Sequence, residues 1–255
     1  MRRKFTLCAA VATALISPAA MAQPDTSDWK CEYCPFEKGY SSEIDVGASN
    51  VSGDDGYRYG NGTGYDEDGT YAEVAWRGRQ VGDTTVTSWN FDKLGLDSRK
   101  ASIDFKKPGS FGLHFGYDEL PYRLFDTTST IFSGSDGRLT LPSTWTTAGS
   151  TSGFTDLGAS LQSRNIERDR QIFDVGLSWL PSSNIDVYTD YRHQQRDGVR
   201  IMSGSTFASA AYLPRVIDDE TDTIDAGARF ALGNFNLTLA WYGSFYSNNI
   251  DALTW

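Results

Sequence analysis

Along residues 235–245 apolar and polar side chains take turns: Phe235, Leu237, Leu239, Trp241 and Phe245 fall on odd positions, Asn236, Thr238 and Ser244 on even ones. A β-strand points successive side chains to opposite faces, so this segment has one greasy face and one wet face. The pattern recurs. Residues 172–180 set Phe173, Val175, Leu177 and Trp179 against Asp174, Gly176 and Ser178. Residues 185–192, 224–230, 101–106, 111–117, 44–49 and 71–79 alternate in the same way, and residues 84–91 do so more weakly. Together these are about nine candidate strands, a number that bounds the fold class to all-β.

A soluble sandwich also alternates, but its strands run to about 5–6 residues. Many segments here approach the roughly 9–11 residues that cross a bilayer when tilted. The polar face is mostly Gly, Ser, Thr and Asp with a few Arg, as a barrel lumen is, with little of the Lys and Glu common on a surface in bulk water. Trp76, Trp179, Trp241 and Tyr191 fall towards the segment ends, where membrane barrels carry aromatic girdles. The expected fold is an antiparallel transmembrane β-barrel over residues 42–255, in the cell outer membrane.

Composition agrees. Trp, Tyr and Phe make 13% of the chain, and the net charge of −10 argues against nucleic acid, whose phosphates need a basic surface. No segment after the first residues has the about 20 apolar residues of a transmembrane helix. Short turns are expected at residues 80–83, 107–110, 181–184 and 233–234, and long polar loops at 51–69, 92–97, 119–170 and 195–222. Short periplasmic turns and long outer loops would put the N-terminus in the periplasm. An odd strand number leaves an unpaired edge that lipid does not tolerate, so the expectation is an incomplete N-terminal segment of a larger barrel.

Residues 1–22 read as a secretory signal peptide: Arg2, Arg3 and Lys4, a short apolar stretch, then Ala20-Met21-Ala22. Cys8 leaves with it. Residues 23–41 then form a periplasmic N-terminal segment that holds Cys31 and Cys34. Covalent haem attachment needs Cys-x-x-Cys-His, and Pro35 stands in the histidine's place, so no haem is expected on this chain. A zinc or iron–sulfur site wants about four ligands. A thioredoxin-like pair sits at the start of a helix, and no such context surrounds these residues. A small disulfide loop or a free thiol pair remains, a possible redox or disulfide pair. No other cofactor and no metal is expected.

Other candidates have plain readings. His114 and His193 have no serine or acidic partner at triad spacing, so no catalytic residue is assigned and an enzyme is not expected. The charged run from Arg164 to Arg170 reads as a solvated loop-to-strand junction, with a docking surface for a partner protein as the sharper alternative. Asp54-Asp55, residues 66–68 and residues 218–222 lack the ordered ligand spacing of a calcium loop and read as solvated loops.

The early Cys31-x-x-Cys34 followed by Pro35-Phe36, the stretch SEIDVGASNVSGDDGYRYGNGTGYDEDGTY, and FGLHFGYDELPYRLFDTTSTIF, GRLTLPSTW and LPSSNIDVYTDYRHQQRDG resemble the MtrB/PioB family of decahaem-associated outer-membrane proteins. The resemblance runs from about Ser27 to Trp255. It implies a large barrel that sheathes and positions a multihaem c-type cytochrome for electron transfer across the outer membrane, with the haem carried by the partner. The implied partners are a periplasmic multihaem cytochrome, an outer-surface one, and outer-membrane lipid. Asp104, Asp174, Asp190, Arg192 and Arg229 would then face the guest protein or water, and Cys31 and Cys34 would serve assembly or redox handling. The alternative is a general porin or solute channel with residues 119–170 as its constriction loop.

Overall fold

Each of the alternating segments becomes a strand of a single sheet. The computed structural model describes residues 38–53, 56–154, 156–206 and 209–255. The leader, residues 54–55, and Cys31 and Cys34 lie outside the described residues. The strands are β1 (Gly39–Val51), β2 (Gly69–Val81), β3 (Val86–Leu94), β4 (Lys100–Lys107), β5 (Phe111–Phe125), β6 (Ser129–Thr130), β7 (Gln162–Ser163), β8 (Ile166–Ser182), β9 (Ile185–Thr206), β10 (Ser209–Leu232) and β11 (Phe235–Asn248). Nine of them form one sheet in the order β1-β2-β3-β4-β5-β8-β9-β10-β11, while β6 and β7 pair only with each other. All pairings are antiparallel, so the sheet is a meander. It is open, with β1 and β11 at its edges.

Tight turns gather at one end of the sheet. Gly82 N–H donates to Thr85 C=O at 2.8 Å between β2 and β3, and Ser110 N–H donates to Lys107 C=O at 2.9 Å between β4 and β5. Between β10 and β11, Gly233 has φ +62°, which suits the first position of a type II′ hairpin turn that a side chain would resist. The opposite end carries the long connections: residues 52–68 with the short helix α1 (Gly56–Tyr59), and residues 126–165 with β6, β7 and the short helix α2 (Leu157–Ser160).

The loop end departs from the sequence expectation in several places. Residues 92–97 are no long loop, since β3 continues to Leu94 and β4 begins at Lys100. The expected loop 119–170 is shorter, because β5 runs to Phe125 and β8 starts at Ile166. Residues 195–222 are a hairpin: β9 and β10 stay paired from Phe230↔Ile185 to Ser209↔Thr206. At about 3.3 Å per residue these strands reach well past a hydrocarbon layer of about 30 Å. Trp76 and Trp241 also sit within their strands, and of the tryptophans expected at strand ends only Trp179 lies by a turn.

Directly opposed residues of antiparallel strands share a face, so the two faces can be followed across the sheet. One apolar row runs Trp89, Ile103, Phe115, Val175, Tyr191, Ile224, and the next runs Phe105, Leu113, Leu177, Thr189, Ala226, Trp241. Among the described residues nothing covers this face along β8 and β11: Trp179 is 52% exposed, Leu239 56% and Trp241 54%. A sandwich would bury these side chains against a facing sheet, and among the described residues the other sheet is only the β6–β7 pair. A contiguous unpartnered apolar band of this extent belongs against hydrocarbon. The main buried cluster, Phe132, Leu139 and Leu213, with Met202 and Leu253 against it, lies at the far loop end of β9–β10.

Candidate functional site

The polar face gathers the charged residues that the alternation pattern placed there. Asp104, His114, Gly176, Asp190 and Asp225 form one directly opposed row from β4 to β10. His114 lies between two carboxylates, its Nδ1 3.2 Å from Asp104 and its Nε2 2.9 Å from Asp174. Arg229 donates to Asp186 at 2.8 Å and lies over the Tyr188 ring at 4.5 Å. All of these except Asp174 line an open recess of about 420 Å³.

Glycines make room for the larger members of this face. A Cβ on Gly116 would meet the Asp174 carboxylate, one on Gly176 that of Asp190, and one on Gly227 the Tyr188 ring. In each case the glycine is directly opposed to the residue that leans over it. The "GLHFGYD" and "DVGLSW" spacings therefore alternate small and large across strands, as well as polar and apolar along them.

At the loop end the faces change character. On the side that carries the apolar band, the row above Tyr117 and Phe173 turns acidic around one buried cation. The Arg123 side chain is only 5% exposed and contacts Asp66 at 2.9 Å, Asp169 at 2.6 Å, Asp97 at 3.4 Å and Glu167 at 3.7 Å. Burial opposes its charge, but bonds from Asp169 and Asp66 outweigh that and hold the guanidinium more firmly protonated than usual. Tyr57 of α1 donates to Glu167 at 2.5 Å, which ties the 52–68 connection down onto β5 and β8. Its hydroxyl is held above the ordinary tyrosine range by burial first, then by the bond to Glu167. Beside it, Glu119 accepts from Arg99 at 2.6 Å and from Gln171 at 3.3 Å.

The opposite face of the same strands is rich in arginine. Arg170 is directly opposed to Arg196, and Arg200 to Arg215. Arg196 makes a two-pronged contact with Asp219 at 2.7 and 3.0 Å. Arg170 donates to Gln194 at 2.8 Å, and Arg168 lies over the Tyr122 ring at 4.3 Å.

Several sequence readings change here. The run Arg164 to Arg170 is the expected loop-to-strand junction, with β8 from Ile166, but its strand charges are half-buried and sort by face. Glu167 and Asp169 go to Arg123, while Arg168 and Arg170 go to the other side. Residues 218–222 are likewise strand, not loop. His193 lies within β9, on the band side, 2.8 Å from Asp222. Asp66 is engaged by Arg123, and Asp68 accepts from the Gly53 N–H. Among the described residues no group of His, Cys, Asp and Glu is arranged to hold a metal ion. Sequence reasoning missed Arg123. The available signal was an arginine on the band face of β5 that continues the alternation of Phe115 and Tyr117 past the apolar stretch.

The chain's relatives agree with this wall. Residues 51–255 match the family model described as "Putative outer membrane beta-barrel porin, MtrB/PioB". The chain is 28% identical over 231 residues to the outer membrane protein MtrB of Shewanella baltica (strain OS185), an overlap of 89% of this chain and 33% of that protein. It thus spans about a third of the length of the curated relative it matches. An open antiparallel sheet with one apolar and one polar face is a portion of a barrel wall, lipid outside and lumen inside. The chain belongs to the MtrB/PioB family of outer-membrane β-barrel proteins.

Proposed function

We propose that this wall sheathes a multihaem c-type cytochrome and positions it for electron transfer across the outer membrane. The observation that carries the reading is the pairing of faces. The apolar band faces lipid, and the polar face offers a carboxylate- and arginine-lined surface whose glycines keep its relief low. Such a surface suits a folded guest, with the haems supplying the redox chemistry and the wall supplying geometry. In this reading the tight turns are periplasmic and the long connections external, so Cys31 and Cys34, which precede β1, lie at the periplasmic mouth and serve assembly or docking there. Replacing both with Ala and measuring barrel level and electron transfer tests that role; unchanged values reject it.

The test of the main reading is purification of the full-length protein from outer membranes, followed by haem staining and electron transfer in liposomes. A haem-staining partner in fixed proportion is the expected result. A full-length barrel that lacks any such partner and conducts ions freely would favour the second reading, a general porin or solute channel. One observation speaks for that alternative: Phe132 and Leu139 of the 126–165 connection pack on Leu213, on the polar-face side of β10, where a constriction loop would sit.

A further inference from the structure

Directly opposed like charges destabilise a pair of strands, yet the loop end of the polar face holds two such pairs, Arg170 with Arg196 and Arg200 with Arg215. On the other face of the same strands the opposed residues are acidic, Asp169 with Asp197 and Asp197 with Asp218. The extension is therefore mainly positive on one side and mainly acidic on the other, with Asp219 and Arg123 as the counter-charges within each. Within the arginine tier, Leu120, Tyr122, Arg168, Arg170, Gln194 and Arg196 line a recess of about 350 Å³. Asp169 touches its rim, but its carboxylate is bonded to Arg123 on the far face. Asp219 neutralises Arg196, whereas Arg170 is held by an amide and Arg168 by an aromatic ring, neither of which cancels charge. Tyr122 and Gln194 thus aim two guanidiniums into the recess without consuming their positive charge.

We propose that this recess receives carboxylates displayed by a protein seated against the polar face, at the end of the sheet opposite the tight turns. The inference rests on the sheathing role proposed above and adds an axial polarity. Lower on the same face carboxylates outnumber cations, Asp104, Asp174, Asp186, Asp190 and Asp225 against Lys106, Arg192 and Arg229, so a guest with an acidic end is favoured in one direction. Guanidinium suits this task because its planar fork takes a carboxylate two-pronged, as Arg196 does with Asp219.

The test uses the full-length protein in detergent and labelled hexaglutamate as the probe, read by fluorescence anisotropy at low salt. Saturable binding is expected, weakened about tenfold or more by Arg168→Gln with Arg170→Gln, since both uncancelled charges are then lost. Hexaglutamate affinity that is equal in the native protein and this variant overturns the proposal. So does saturation by inorganic phosphate at concentrations where hexaglutamate does not bind, which would assign the recess to a small free anion. If the double glutamine variant does not fold, Arg168→Lys with Arg170→Lys keeps the charge and removes the fork; a loss of about threefold is expected and none overturns it. The probe needs no cytochrome, so absence of a haem-staining partner and absence of hexaglutamate binding are separate failures of separate claims.

Discussion

Arg123 donates to Asp169 at 2.6 Å, and this bond joins β5 to β8 on the side of the apolar band, beyond where the band ends. The same guanidinium reaches Asp66 from the 52–68 connection and Asp97 from the link after β3, so a single cation ties two connections to β8. Replacing it takes that counter-charge from Asp66, Glu167 and Asp169, while Asp97 keeps Arg99 at 3.6 Å. Arg123→Met is expected to cost stability near the low end of the roughly 3–5 kcal/mol seen on breaking a buried pair, because Asp97 and Asp169 still reach water. The measure is the temperature at which the barrel loses its heat-modifiable migration on a gel. Arg123→Lys, which keeps a charge of the same sign, should lose less than Arg123→Met. Equal losses in the two variants would place the role of Arg123 in packing and not in charge.

Asp197 supplies the converse case. Its carboxyl is held above the ordinary value of 3.8 by partial desolvation first, then by the carboxylates of Asp169, Asp218 and Glu119, although the residue itself is exposed to solvent. A raised carboxyl pKa means that the folded state binds the proton more tightly than the unfolded state. The associated stability is present below 3.8 and is lost as pH rises through the folded value, so ionised Asp197 works against the fold at neutral pH. Asp197→Asn should therefore raise the melting temperature at pH 7 and give no gain below about pH 3.5. A variant that melts lower than the native protein at pH 7 contradicts this sign.

The glycines of the polar face differ in what they would strike. A Cβ on Gly116 would sit 2.5 Å from Asp174 Oδ2, and that carboxylate holds His114 at 2.9 Å. A Cβ on Gly47 would meet the Glu73 side chain at 3.2 Å, and Glu73 has the extra methylene to swing aside. Gly116→Ala should cost about 1 kcal/mol through the lost His114–Asp174 contact, while Gly47→Ala should stay within about 0.5 kcal/mol of native. Equal melting curves for the two variants would mean that the His114–Asp174 contact adds nothing.

Strand existence was legible because period-2 alternation is imposed by burial on one side, and every segment it marked is a strand. The loop end was not legible, for reasons that can be named. The sequence Arg196-Asp197-Gly198 looks like a turn, but Gly198 sits inside β9 with φ +132°, where a Cβ would fall onto the Glu167 carbonyl oxygen. It lets β9 pass close to β8 without turning. Pro121 and Pro214 also look like strand breakers. Each lies where its strand has lost one neighbour: β4 leaves β5 at Asp118, and β11 leaves β10 at Asp219. A missing N–H costs little on such a one-sided stretch. Beyond the band both faces meet water, so the apolar alternation fades while the strands continue. The alternation could have placed Arg123 on the band face, but its role and that of the arginine tier lie in register, which only the paired strands supply.

The assignment of lipid to one face and lumen to the other is open to a direct test on neighbouring residues of β11. Leu239 points to the apolar side, 56% exposed and opposed to Ala228, while Thr238 points to the polar side opposite Arg229. An arginine facing the middle of the hydrocarbon costs roughly 2–4 kcal/mol in a barrel, and one facing a wet lumen costs little. Leu239→Arg should therefore lower the yield of inserted protein in liposomes and the urea concentration that unfolds it. Thr238→Arg should insert as the native protein does, with at most a local repulsion from Arg229. The comparison is internal, because both variants add the same charge, on the same strand, one residue apart. If Thr238→Arg proves the more damaging, the faces are assigned the wrong way round, and the sheathing role and the arginine recess lose their footing together.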